Sequence, residues 1–150
     1  MRKRLVAALA IVAALTVAGI AIAGSLPGAG TGSISLGGVD GSKVGAAGVT
    51  PHYQSKVWFD TTGTARLKNP RVWVACYQNG QLVYGEGGSP SETFKLGGDM
   101  SQWVVNGGGS ASCTAELYYI LNAKGTGEWN GNGGQGGTVD LGDTAFSANG

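Results

Sequence analysis

Glycine is the feature that most limits what this chain can fold into. The 150 residues include 29 glycines, which cluster in five tracts between segments rich in Val, Trp and Tyr: 24–48, 85–88, 97–98, 107–109 and 125–137. Glycine weakens helices and strands from within, but it accommodates the positive φ angles of tight turns. The distribution predicts many short strands joined by turns, with no helix beyond the N-terminal segment.

The N-terminal segment has the layout of a bacterial-type secretory signal peptide. Met1–Arg4 is cationic, residues 5–23 carry no charge, and Ala21–Ala23 is a small-x-small cleavage site. These features predict a helical signal peptide over residues 1–23 and a secreted, extracellular product that meets the membrane only in transit. The alternative is anchoring by an uncleaved helix, because about 19 uncharged residues approach the roughly 20 that span a bilayer.

The rest of the chain divides by composition into three parts. Residues 24–50 contain no aromatic side chain and predict a flexible Gly/Ser-rich leader, with at most a short extended piece at Ser33–Leu36. Residues 51–146 carry the strand patterns of one domain, and residues 147–150 form a tail. Without the signal peptide, seven basic residues face nine acidic ones, so the formal charge is about −2. Such scattered, mildly acidic charge excludes nucleic acid and a polybasic membrane contact as partners.

Alternation of apolar and polar side chains predicts seven strands in the domain. The segments are 53–60, 70–78, 81–84, 92–96, 101–105, 112–121 and 138–146. The segment 70–78 is apolar on both faces, which is typical of a central strand, and 112–121, with one fully apolar face, is the second segment predicted to be central. Between two of the strands, Asn79-Gly80 predicts a two-residue type I′ hairpin.

Both cysteines fall on apolar faces of the two central strands. Cys76 aligns with Val72 and Val74, and Cys113 aligns with Ala115 and Leu117. In an oxidising compartment this placement predicts a disulfide that runs through the core. Closing a loop of about 38 residues stabilises the fold by roughly 3–4 kcal/mol in the chain-entropy model. The cysteines form no Cys-x-x-Cys motif and have no neighbouring cation, so the bond is predicted to be structural.

About seven strands, two cysteines 37 positions apart on apolar faces and Trp103 between them give a pattern that resembles the immunoglobulin-like β-sandwich group. The resemblance implies an all-β, antiparallel, two-sheet sandwich. It covers architecture and not strand order, because the Asn79-Gly80 hairpin pairs the first cysteine strand with its successor. In the family, the corresponding strands lie in opposite sheets.

Residues with catalytic or metal-binding chemistry are sparse. His52 is the only histidine, so a catalytic base there would need a serine and an acid such as Asp60 to be brought near by folding. The acidic residues are dispersed, and the tract 130–143 matches a calcium-binding nonapeptide repeat imperfectly and only once. The sequence therefore predicts no catalytic residue, no metal and no cofactor.

Aromatic side chains are the remaining candidates for ligand contact. Trp58 lies on the polar side of its predicted strand, and Trp129 lies in a glycine-rich tract. Trp73 and Tyr77 share one face of a central strand, where packing beneath another element is the expected arrangement.

The function predicted first is a non-enzymatic module for extracellular binding, adhesion or a structural role at the cell surface, with an extracellular protein or glycan as partner. One alternative is a carbohydrate-binding module that uses exposed Trp and Tyr rings. A second is a small secreted hydrolase, which would need two carboxylates or a Ser/His/Asp set to converge in a cleft.

Overall fold

The computed structural model describes residues 32–44, 49–64, 67–98, 101–125, 127 and 134–150. These residues contain eight strands and no helix: β1 Ser33–Val39, β2 Ser42–Lys43, β3 Lys56–Thr62, β4 Arg71–Gln78, β5 Gln81–Gly88, β6 Phe94–Lys95, β7 Ala111–Asn122 and β8 Gln135–Ala148. It follows that nothing in this part of the chain has the length and apolarity of a membrane-spanning helix. The predicted signal peptide and Trp129 lie outside the described residues.

The strands form two antiparallel four-stranded sheets. Sheet one has the order β2-β1-β3-β6, and sheet two has the order β5-β4-β7-β8. The prediction of an all-β, antiparallel, two-sheet sandwich is confirmed. Both segments predicted to be central, β4 and β7, lie in the middle of sheet two, where they pair with each other along seven residue pairs.

The domain begins earlier in the sequence than the glycine content suggests. Residues predicted to belong to a flexible leader form β1 and β2, and β1 pairs with β3 from Ser33 to Val39. Ile34 and Val39 are buried in the core. Alternation was hard to detect in the sequence because a bulge between Leu36 and Gly38 interrupts the pairing.

The C-terminal residues 147–150, predicted to be a tail, also belong to the fold. Ala148 ends β8 and is fully buried. Asn149 donates its backbone N–H to Pro51 and accepts from the backbone N–H of Tyr53.

The segment 101–105 is not the predicted strand. It is an extended loop whose hydrogen bonds go to isolated groups and not to a ladder: the backbone N–H of Gln102 donates to Val83. Trp103 leaves this loop for the core, where it is 7% exposed and its indole N–H donates to the Gly109 carbonyl. The apolar residues of segment 101–105 therefore do not mark a strand. Trp103 alone packs into the core and holds the loop in place.

The predicted type I′ hairpin is confirmed. Asn79 and Gly80 have φ angles of 50° and 78°, and they join β4 to β5. Asp40 and Gly41, with φ angles of 48° and 86°, make the same kind of turn between β1 and β2. Asn, Asp and Gly tolerate these left-handed conformations best, which explains both turns.

The core fills the space between the sheets. Phe59 of sheet one contacts Phe146 of sheet two, with ring centroids 5.9 Å apart. The predicted disulfide is present: Cys76 and Cys113 are direct neighbours across β4 and β7, with Cα atoms 4.0 Å apart, and both are buried. The bond thus joins adjacent strands of one sheet, whereas the disulfide of antibody domains joins opposite sheets.

Candidate binding surface

The outer face of sheet two collects large side chains that the described chain leaves open to solvent. Alternation along β4 turns Val72, Val74 and Cys76 inward, so Trp73 and Tyr77 point outward. The register places Gly87 and Glu116 on either side of Trp73, and Leu82 and Ser112 on either side of Tyr77. We call this surface the tryptophan face and define it by six residues: Trp73, Tyr77, Leu82, Glu116, Tyr118 and Asp143.

Trp73 lies against two glycines of the neighbouring strand. A Cβ atom on Gly85 would lie 2.9 Å from the indole ring, and one on Gly87 would lie 3.2 Å from it. Glycine at these positions lets the ring rest on the backbone of the edge strand β5. The side chain nevertheless stays 40% exposed.

Tyr77 and Leu82 extend the open apolar surface toward the Asn79-Gly80 hairpin. They are cross-strand neighbours and are 40% and 47% exposed. The expectation that Trp73 and Tyr77 pack beneath another element is wrong. Their strand is central within its sheet, but the outer face of that sheet is uncovered in the part of the chain the structure describes.

Carboxylates border the aromatic side chains. Glu116 lies directly opposite Asp143 on β8, and Tyr118 lies opposite Asp140. Partial burial raises the pKa of the Glu116 carboxyl, and the negative charges of Asp140 and Asp143 raise this pKa further. The tryptophan face thus combines aromatic rings with hydrogen-bond acceptors.

Trp58 occupies the outer face of sheet one but is half-buried. A Cβ atom on Gly38 would overlap its indole ring, and one on Gly37 would lie 2.8 Å from the indole nitrogen. The ring borders a cleft of about 530 Å³ that Asp40, Gln54, Lys56 and Thr93 also line. Trp58 therefore covers the backbone of β1 and leaves only part of its ring for a ligand.

The sole histidine does not meet a serine hydroxyl. His52 Nδ1 lies 2.8 Å from the Tyr53 carbonyl oxygen, and Nε2 lies 3.4 Å from an oxygen of Asp40. The buried Ser55 hydroxyl instead accepts a hydrogen bond from the backbone N–H of His52. The acid beside the imidazole is Asp40 and not Asp60, because the β1–β2 turn brings Asp40 to this end of the sandwich.

Among the described residues, no group of three or more His, Cys, Asp or Glu side chains is arranged to hold a metal ion. The chain matches no protein-family model, no curated protein and no solved structure.

Proposed function

We propose that this protein is a secreted, non-enzymatic, immunoglobulin-like β-sandwich module that binds an extracellular partner through its tryptophan face. The observation that carries the proposal is Trp73, a large ring supported by two glycines and left 40% exposed on a paired sheet. Burying such rings contributes strongly to binding, and Trp and Tyr dominate the energetics of recognition surfaces.

The strand order supports the immunoglobulin-like part of the proposal. Sheet one has the order β2-β1-β3-β6, in which β1-β3-β6 corresponds to strands A-B-E of that group and β2 has no counterpart. In sheet two, β5-β4-β7-β8 corresponds to C′-C-F-G. In this correspondence the first cysteine strand, β4, takes the place of strand C and not of strand B. A hairpin from β4 to β5 then fits the family order.

Secretion is supported by the layout of residues 1–23 and by the disulfide, which is typical of oxidising compartments. The mass of the protein recovered from the medium tests both points. We expect a chain that begins near Gly24 and is two hydrogens lighter than its reduced form. A full-length chain recovered with the membranes would favour the anchored alternative.

A glycan is the ligand that one observation favours over a protein. Trp73 and Tyr77 are four residues apart on one strand face, about 13 Å along it, and Glu116 flanks Trp73. Spaced rings can stack on the C–H faces of sugars, while carboxylates accept hydrogen bonds from their hydroxyls. An extracellular protein remains the other candidate partner, in adhesion or in a structural role.

Retention of the protein on immobilised ligands tests this function. The panel combines insoluble polysaccharides with extracellular matrix proteins, and we compare the wild type with Trp73→Ala, Tyr77→Ala and the control Trp58→Phe. We expect the wild type and Trp58→Phe to be retained on the same ligand, and Trp73→Ala to bind at least about tenfold more weakly.

Equal retention of Trp73→Ala and wild type, or no retention on any member of the panel, would overturn the role of the tryptophan face. Release of soluble sugar from a retained polysaccharide would contradict the non-enzymatic part of the proposal and favour the hydrolase alternative.

A further inference from the structure

A polar cleft lies beside the Asn79-Gly80 hairpin, and none of the six residues of the tryptophan face lines it. Its volume is about 500 Å³, which falls within the range of sites that bind small molecules. It is bounded by the hairpin, by Gln102 and Val104, and by the loop 106–110. Five carboxamide side chains line it, and we call it the amide cleft: Gln78, Asn79, Gln81, Gln102 and Asn106.

Gln78 fixes the shape of the amide cleft. Its Nε2 donates to the carbonyls of Val104 and Gly109, at 3.0 and 2.8 Å, and its Oε1 accepts from the backbone N–H of Val104 at 2.9 Å. These bonds tie the hairpin to the glycine-rich loop. The cleft is therefore held open by contacts within the protein.

The other four carboxamides keep their hydrogen-bonding capacity. Within the described ranges, the side chains of Asn79, Gln81, Gln102 and Asn106 bond to no protein group. Each carboxamide offers both a donor and an acceptor. The cleft thus presents several adjacent donor and acceptor positions on a fixed frame.

The lining contains no ionisable side chain, so no charge in the cleft favours an ionic ligand. Apolar surface comes from Val83 and Val104, and Val104 is 60% exposed. A ligand that matches this combination is uncharged, carries hydroxyls that both donate and accept, and has C–H surface between them. A neutral saccharide has these properties.

An extended peptide fits the cleft less well. Peptides that dock on β-domains commonly add a strand to a free sheet edge, and β5 is the edge strand here. At the cleft, however, the Val83 carbonyl already accepts from the Gln102 backbone N–H and from the Ser101 hydroxyl, both at 2.9 Å. Strand addition is blocked at this point.

We propose that the amide cleft is a binding site for a neutral saccharide, separate from the tryptophan face and independent of what that face binds.

Nuclear magnetic resonance of the mature, disulfide-bonded protein tests the site. The probes are the hexasaccharides of glucose (α- and β-linked), mannose, xylose and N-acetylglucosamine, with hexagalacturonate as the charged comparison, each at about 10 mM. We expect at least one neutral probe to shift the side-chain NH₂ signals of Gln81, Gln102 and Asn106, while hexagalacturonate leaves these signals in place.

Alanine variants of the cleft residues show which side chains contribute to the affinity for the saccharide. Gln81→Ala and Gln102→Ala should each weaken binding about five- to tenfold, because each removes one or two hydrogen bonds to the ligand. Both side chains are exposed, and the Gln102 backbone N–H that bonds Val83 is retained, so the fold should persist. Trp73→Ala is the control, and it should leave the affinity of the cleft unchanged.

The absence of NH₂ shifts with every neutral probe would overturn the proposal, as would equal shifts with hexagalacturonate. Loss of the shifts in Trp73→Ala would show that the sugar binds the tryptophan face and would also overturn it. Cleft shifts in a protein whose tryptophan face binds nothing would support the cleft and count only against the proposed function.

Discussion

The two sheets each carry an outward tryptophan over glycines of a neighbouring strand, yet they use it differently. In sheet one, Trp58 is half-buried against Gly37 and Gly38, so closely that a methyl group on Gly38 has no space. In sheet two, Trp73 also lies close to its glycines, since an added Cβ would lie 2.9 Å from the ring at Gly85 and 3.2 Å from it at Gly87, yet it keeps 40% of its surface exposed.

The difference in exposure between the two rings is explained by the length of the strands beneath them. Sheet one contains strands of 7, 2, 7 and 2 residues, whereas sheet two contains strands of 8, 8, 12 and 14 residues and the disulfide. Short strands form few ladder hydrogen bonds. The packing of Trp58 against β1 therefore makes up for part of the stability that sheet one does not gain from its ladders. The longer ladders of sheet two depend less on such cover, and Trp73 keeps 40% of its surface exposed.

Removal of the disulfide should have the largest effect, because it tests whether sheet two depends on its covalent bond. We expect Cys76→Ala/Cys113→Ala to lower the free energy of unfolding by about 3–4 kcal/mol. Urea denaturation measures this value, and reduced wild-type protein is the matched control. A loss below about 1 kcal/mol would mean that strand pairing alone holds sheet two.

The second largest effect should come from adding a methyl group beneath each tryptophan ring, and the loss of stability should differ between the two sheets. Gly38→Ala forces the new Cβ into the Trp58 ring and the Ser42 carbonyl, and we expect a loss of about 2–3 kcal/mol. Gly87→Ala places its Cβ 3.2 Å from the Trp73 ring and 3.9 Å from the Val72 carbonyl oxygen, and it should cost less than about 1 kcal/mol. Similar urea midpoints for the two variants would contradict the contrast between the sheets.

Replacing each tryptophan by alanine should also destabilise sheet one more than sheet two, but by a smaller margin. Replacing a fully buried tryptophan by alanine lowers the free energy of unfolding by about 3–5 kcal/mol. We therefore expect losses of about 2 kcal/mol for the half-buried Trp58 and about 1 kcal/mol for the more exposed Trp73. Thermal unfolding of Trp58→Ala and Trp73→Ala measures the difference. A lower melting temperature for Trp73→Ala than for Trp58→Ala would make Trp73 the structural residue.

Neutralising Glu116 should have the smallest effect and should depend on pH. Because burial and the nearby carboxylates raise the folded-state pKa above 4.5, the folded protein binds this proton more tightly than the unfolded chain. Stability therefore falls as pH rises through the folded-state pKa. Glu116→Gln should stabilise the protein by less than about 1 kcal/mol at pH 7, since the site is partly solvated.

Below pH 4.5 the difference between Glu116→Gln and wild type should vanish, because the carboxyl is then protonated in both states. Asp60→Asn, on the exposed side of β3, is the matched control. A stabilisation that grows toward low pH would contradict the assigned direction of the pKa shift.

Local patterns in the sequence were enough to predict the hairpin at Asn79, the two inner strands of sheet two and the disulfide between them. Each depends on neighbouring residues or on the burial of a whole strand face. Strand β1 could not be predicted in the same way, because it lacks aromatic residues and its alternation is broken by a bulge at Gly37. Its burial depends on pairing with β3, which is distant in sequence.

The candidate sites were predictable only in part. The alternation of β4 placed Trp73 and Tyr77 on one face, but their exposure depends on whether another layer covers sheet two. The amide cleft had no signal in the sequence, since Gln78 and Gln102 lie on segments that only the folded chain brings together. The five amides spread over residues 78–106 have no recognisable spacing.

Of the two outward tryptophans, Trp73 is exposed and Trp58 is half-buried. Fluorine NMR of 5-fluorotryptophan-labelled protein, with a soluble paramagnetic agent, measures this most directly once Trp→Phe variants assign the signals. We expect the agent to broaden the Trp73 signal far more than those of Trp58 and Trp103. A Trp73 signal as protected as that of the buried Trp103 would contradict the account.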